Sequence, residues 1–172
     1  MPQERAKAVT MRGNPLTLIG PELRVGDTAP DAKLLDKALR EASIRADGKV
    51  RIVSVVPSLD TPVCDLQTKR FNEEAGKLPE VEIVTVSADL PFAQNRWCGA
   101  AGATKITVLS DHRNMAFGDA YGVHVKELRL DARAVFVIDK QGKIAHAQYV
   151  KEIAEHPDYD AALKAAKTAA AR

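Results

Sequence analysis

The chain has 172 residues, 45% of them hydrophobic, with 25 basic and 23 acidic side chains and a formal charge of +2. That size suits one compact domain with a real core, and the scattered charge leaves no electrostatic footprint for nucleic acid or an anionic membrane. No apolar stretch approaches a signal-peptide core or a bilayer span, and the segment Met1 to Thr10 carries Glu4, Arg5 and Lys7, so a cytoplasmic protein is the expectation.

Between Glu4 and Ile19, short runs on either side of Gly13-Asn14-Pro15 predict a β-hairpin. A mixed stretch follows Gly26-Asp27-Thr28-Ala29-Pro30. The run Val50 to Val56, rich in β-branched residues and bounded by Gly48 and Pro57, then predicts a buried strand. From Pro62 to Gly76 the spacing predicts a helix, with Val63, Leu66 and Phe71 near one side. Val81 to Ala88 is again a strand, so strand, helix and strand imply a parallel pair joined by a right-handed crossover.

A second helix is expected to start at Leu90-Pro91, since proline suits the first turn, and to carry Trp97 and Cys98 before Gly99 or Gly102 stops it. Ile106 to Leu109 predicts a short strand and Asn114 to Tyr121 a short helix, with Phe117 and Tyr121 as core residues. Ala134 to Asp139 and Ile144 to Val150, separated by Lys140-Gln141-Gly142-Lys143, predict a hairpin. Pro157 opens a final alanine-rich helix whose apolar face runs through Tyr159, Ala162, Leu163 and Ala166. Together these elements imply a single α/β domain of the thioredoxin kind, a three-layer sandwich with an N-terminal hairpin, over residues 1–172.

Two cysteines do not make the disulfide framework of a small secreted protein; in a reducing compartment they serve redox chemistry or core packing. Cys64 falls in the first turn of the predicted helix, where unpaired N–H groups and the positive end of the helix dipole favour a thiolate. The dipole is worth about 0.3–1 kcal/mol, at most about a fivefold gain in thiolate. An ordinary thiol is only about 3% ionised at pH 7, so a nucleophile here also needs a hydroxyl and a cation. Thr61, three residues before the sulfur, is placed to supply the hydroxyl, and an arginine must supply the charge. Position alone leaves a second reading open, in which Cys64 is a small apolar residue pinning helix to sheet. Cys98, beside Trp97, is equally compatible with gap filling, because its distance from Cys64 is no recognised redox spacing such as CxxC.

The segment PSLDTPVC resembles the peroxiredoxin pattern PxxxTxxC, with Pro57, Thr61 and Cys64 in register, and SADLPFAQNRWCGA resembles the thiol-peroxidase segment that carries a resolving cysteine, here Cys98. ARAVFVID resembles the strand bearing the active-site arginine, here Arg133, while GNPLTL and PDYDAAL also fit, so the likeness runs from about residue 11 to the end. The resemblance to the bacterial thiol peroxidases, atypical two-cysteine peroxiredoxins, implies a homodimer without metal or organic cofactor. It also implies reduction of hydrogen peroxide and, preferentially, organic hydroperoxides, with electrons from thioredoxin. Cys64 would be oxidised to a sulfenic acid, Thr61 and Arg133 would hold the reacting atoms, Pro57 would shield the sulfur, and Cys98 would close an intramolecular disulfide. Asp131 departs from the uncharged residue the resemblance leads one to expect; on a strand it would share a face with Arg133 and draw the cation from the sulfur, whereas a strand that begins only after Asp131 leaves Arg133 free.

Two rival functions share these features. A dithiol oxidoreductase fits the fold but lacks CxxC, and a non-enzymatic redox sensor or holdase would use the same cysteines for slow switching. A cysteine hydrolase needs a histidine base, and His112, His124, His146 and His156 are all distant from Cys64 in sequence; the cysteines and histidines also lack metal-ligand spacing. Lys69 and Arg70 are expected as surface charges, and Phe92 and Trp97 as core or interface packing.

Overall fold

A computed structural model describes residues 3–172. The chain opens with β1 (Glu4–Met11) and β2 (Asn14–Ile19), an antiparallel hairpin turned at Arg12 and Gly13, both at positive φ. Two short strands, β3 (Lys33–Leu35) and β4 (Glu41–Ser43), precede β5 (Val50–Val55), the helix α1 (Pro62–Ala75) and β6 (Val81–Ser87). The helix α2 (Pro91–Ala101) leads to β7 (Thr107–Ser110) and α3 (Ala116–Tyr121). Two-residue strands β8 (His124–Val125) and β9 (Leu130–Asp131) come before the hairpin β10 (Ala134–Ile138) and β11 (Ile144–Tyr149), and α4 (Tyr159–Ala170) closes the fold.

A seven-stranded sheet runs β11-β10-β5-β6-β7-β3-β4, and a four-stranded one runs β1-β2-β8-β9. The β5-α1-β6 unit is parallel, as the sequence predicts, and β7 extends it in parallel. One face of the large sheet packs Val50, Ile52, Ile83, Val135 and Val137 against Phe71 of α1 and Ala162, Leu163 and Ala166 of α4. The other face packs Val53, Val55, Val86 and Phe136 against Phe117 and Tyr121 of α3 and Leu16 and Leu18 of the hairpin. Phe117 and Tyr121 are fully buried and stack at 4.4 Å, in keeping with their assignment to the core.

Two expectations need correction. The buried face of α1 is Cys64, Gln67, Thr68 and Phe71, positions recurring at three- and four-residue spacing, whereas Leu66 is 54% exposed. Of the core and interface roles expected for Phe92, the core one does not hold: one residue into α2, it is 67% exposed. The unanticipated strands β3, β4, β8 and β9 are two or three residues long, too short for a period-two pattern to emerge.

Candidate active site

Cys64 lies at the carboxyl end of the parallel strands, where β5 hands over to α1. Thr61 is extended (φ −125°, ψ 151°), Pro62 starts the helix with a fixed φ, and Cys64 is the third helical residue, in the turn whose N–H groups have no helical partner. The loop before it is anchored by Asp89, whose carboxylate accepts from Ser58 Oγ (2.7 Å), the Leu59 amide (2.8 Å) and Ser87 Oγ (2.7 Å). Pro57 is buried in this loop, and Val56, Leu59 and Cys64 form a small cluster against Trp97 and Val108. Cys64 is fully buried.

Arg133, in the step between β9 and β10, reaches the sulfur from the neighbouring part of the sheet. Its three nitrogens are all committed: Nη2 donates to Cys64 Sγ at 3.3 Å, Nη1 to Gln67 Oε1 at 2.9 Å, and Nε to the Ile153 carbonyl at 2.7 Å. Gln67 is held in turn, its Nε2 donating to Ser54 Oγ at 2.8 Å on β5. Arg133 is only 2% exposed and pairs with no carboxylate among the described residues. A buried cation requires a counter-charge or a full set of acceptors. Among the described residues the only group hydrogen-bonded to this one that is able to carry negative charge is the Cys64 sulfur.

Thr61 stands elsewhere from its expected contact. Its hydroxyl donates to the Ser58 carbonyl at 3.1 Å, makes no side-chain cap, and forms no hydrogen bond with Sγ. Asp131 does not pair with Arg133: it ends β9 before the chain bends and turns its carboxylate toward Asp111 and Gly118.

Cys98 sits in the last turn of α2, half-buried and free, in a cleft of about 590 Å³ lined by Lys37, Gln94, Thr104 and Val108 among others. Burial pushes its thiol above the usual range, with Lys37 acting the other way. Its neighbour Trp97 donates from Nε1 to Asp65 Oδ1 at 2.9 Å, fastening α2 to α1, and Asp65 also pairs with Lys69 at 2.8 Å. Arg70 lies over the Tyr159 ring at 5.0 Å. The histidines are remote from the sulfur's hydrogen bonds: His124 contacts Asp119 and His156 contacts Tyr159, each at 2.7 Å.

Gln67, Asp89 and the Ile153 carbonyl were not anticipated. Gln67 had a legible signal, since three residues after Cys64 it must share that residue's helix face, and a polar side chain on a buried face needs a partner.

Residues 24–163 match the family model described as redoxin. A thiol peroxidase of Bacillus subtilis is 58% identical over 92% of this chain and 96% of its own, and one of Listeria innocua is 51% identical over 94% and 98%. This chain belongs to the redoxin family, among its thiol peroxidases. The backbone agrees: a peroxiredoxin-like protein from Aquifex aeolicus superposes with a TM-score of 0.89 at 45% identity, covering 95% of this chain and 97% of that one. A thiol peroxidase from Chromobacterium violaceum keeps the same fold at 20% identity, with a TM-score of 0.82 over 93% and 95% of the chains. The thioredoxin-like α/β architecture expected from the sequence is therefore the family's own. Among the described residues no helix is long and apolar enough to cross a membrane.

Proposed function

We propose that this chain is a thiol-dependent peroxidase in which Cys64 is the nucleophile, Arg133 and Thr61 serve the reacting atoms, Pro57 shields the sulfur and Cys98 resolves. The observation that carries this reading is the sequestered guanidinium aimed at Cys64 Sγ with no carboxylate to satisfy it. Attack of the sulfur on the terminal oxygen of a hydroperoxide, hydrogen peroxide or an organic one, breaks the O–O bond. Cys64 becomes a sulfenic acid, and the alcohol or water leaves after taking up a proton. Arg133 stabilises the charge as it moves from sulfur to the leaving oxygen, and its three fixed bonds mean that little reorganisation is needed at that moment. Thr61, whose hydroxyl donates to the Ser58 carbonyl, enters by rotating about its side-chain bond when the peroxide binds.

Cys98 then attacks the sulfenic sulfur, water leaves, and a Cys64–Cys98 disulfide forms within the chain. The two cysteines lie on separate helices, and Cys64 is enclosed, so part of α1 or α2 must unwind for the α-carbons to come within about 7 Å. The disulfide returns to the dithiol by exchange with reduced thioredoxin, which becomes oxidised. A homodimer in the cytoplasm completes the proposal; the exposed Leu66, Leu90 and Phe92 offer apolar surface for the dimer contact. The test is a thioredoxin-coupled peroxidase assay on the wild type, Cys64→Ser and Cys98→Ser. Cys64→Ser is expected to be inactive and Cys98→Ser to consume about one equivalent of peroxide and stop. Turnover by Cys64→Ser would overturn the assignment.

A further inference from the structure

Asp131 is enclosed completely, and neither of its carboxylate oxygens has a hydrogen-bond partner among the described residues. Asp111, in the turn between β7 and α3, is 2% exposed and comes within hydrogen-bonding reach of it. The two carboxyl groups converge on Gly118, where a β-carbon would stand 2.5 Å from Asp131 Oδ1 and 3.2 Å from Asp111 Oδ2. Asp111 has its own donors, the amides of Phe117 at 2.9 Å and Gly118 at 2.8 Å. Two ionised carboxylates in such a place would face one another across a dry gap with nothing to give.

We propose that Asp131 and Asp111 share a single proton, carried by Asp131, and so form a pH-sensitive clasp between the turn that opens α3 and the strand that leads into Arg133. The proton turns one acceptor into a donor and supplies the bond that Asp131 lacks. Asp111 keeps the negative charge because it already accepts two amide hydrogens. The other titratable groups near the pair are Asp119 of α3 and His124 of β8, which contact each other at 2.7 Å, and Lys33, Glu41 and Arg113, which share a small pocket with Asp111, Arg113 standing 3.8 Å from Glu41. Asp119 adds a further negative charge, and no described cation forms an ion pair with either member. In agreement, Asp131 is held well above the usual carboxylate range, chiefly by burial and then by Asp111, and burial also raises Asp111.

The clasp acts on the active-site strand through the backbone. His124 pairs with Asp131 in the small sheet, the Ala132 amide donates to the Val123 carbonyl at 2.7 Å, and the Arg133 carbonyl accepts from Val150 at 3.0 Å. A carboxyl whose folded value is raised contributes stability that is complete below about pH 4 and is lost as the pH climbs through the raised value.

The test is carbon-13 NMR of the aspartate carboxyl groups in the reduced wild-type protein, free of added divalent cations. One protonated carboxyl of the Asp111–Asp131 pair at about pH 7 supports the clasp. Both groups ionising near about pH 4, both remaining protonated, or a cation retained by the protein through dialysis overturns it. Asp131→Asn presents a permanent donor to Asp111, so its melting temperature should gain about 4 °C or more on that of the wild type between about pH 5 and about pH 8. The amides of Phe117, Gly118 and Ala132 should lose their extra alkaline exchange in this variant. None of these readouts involves peroxide, so their failure leaves the peroxidase reading standing, and the reverse also holds.

Discussion

Arg133 Nη2 stands 3.3 Å from Cys64 Sγ, with the guanidinium 2% exposed and the sulfur fully enclosed. Charge–charge attraction in such a dry place far exceeds its value in water. Arg133→Gln should lower the second-order rate of Cys64 oxidation by about 10²–10³-fold, measured by stopped flow on Trp97 fluorescence. A loss below about threefold would remove Arg133 from the mechanism.

Gln67 joins Arg133 to Ser54, so it fixes the direction of the guanidinium as well as satisfying it. Gln67→Leu leaves the buried Arg133 Nη1 donor and Ser54 Oγ acceptor unmatched and should cost about 1–3 kcal/mol of stability together with about tenfold in oxidation rate. Gln67→Glu is the sharper variant: its carboxylate would compete with the sulfur for Arg133, so the rate should fall while the melting temperature holds.

The Trp97–Asp65 bond at 2.9 Å holds α2 against α1 in the reduced form. Asp65→Ala removes about 1 kcal/mol of that restraint, which corresponds to about a fivefold easier opening of the helix end. Disulfide closure, followed by rapid acid quenching and mass spectrometry, should quicken by that factor, with the peroxide step unchanged.

Burial raises the Cys98 thiol above its usual range, and Lys37 partly offsets the effect. Only the thiolate attacks the sulfenic sulfur, so closure should accelerate with rising pH through neutrality and keep rising past the ordinary thiol range of about 8.5. Lys37→Glu should slow closure at about pH 7 by about threefold, the modest size reflecting an exposed charge screened by water.

Much of this was legible beforehand because local rules govern it. Pro62 and Pro91 mark helix starts, Pro157 lies two residues before the start of α4, the β-branched run at Val50 marks an inner strand, and the position of Cys64 in the first helical turn follows from these. The expected hydroxyl from Thr61 did not appear beside the sulfur, because rotation about one side-chain bond lets it choose the Ser58 carbonyl instead. The absence of an Asp131–Arg133 pair matches the alternative in which the strand begins only after Asp131. The alternation of faces holds only within a strand, and β9 ends at Asp131, which frees Arg133 to turn toward α1. Partners such as Asp89 and the Ile153 carbonyl belong to long-range packing, which periodicity does not encode.

The unequal accessibility of the two sulfurs divides the catalytic cycle by molecular size. A hydroperoxide of a few atoms needs only a small parting of the loop around Pro57, whereas a folded protein reductant has no approach to an enclosed sulfur. In the proposed cycle Cys98, at the wall of an open cleft, would be the port through which electrons enter from a macromolecule. On the same proposal the enclosed Cys64 would meet only the oxidant, and bulky disulfides in the surroundings could not capture it between turnovers.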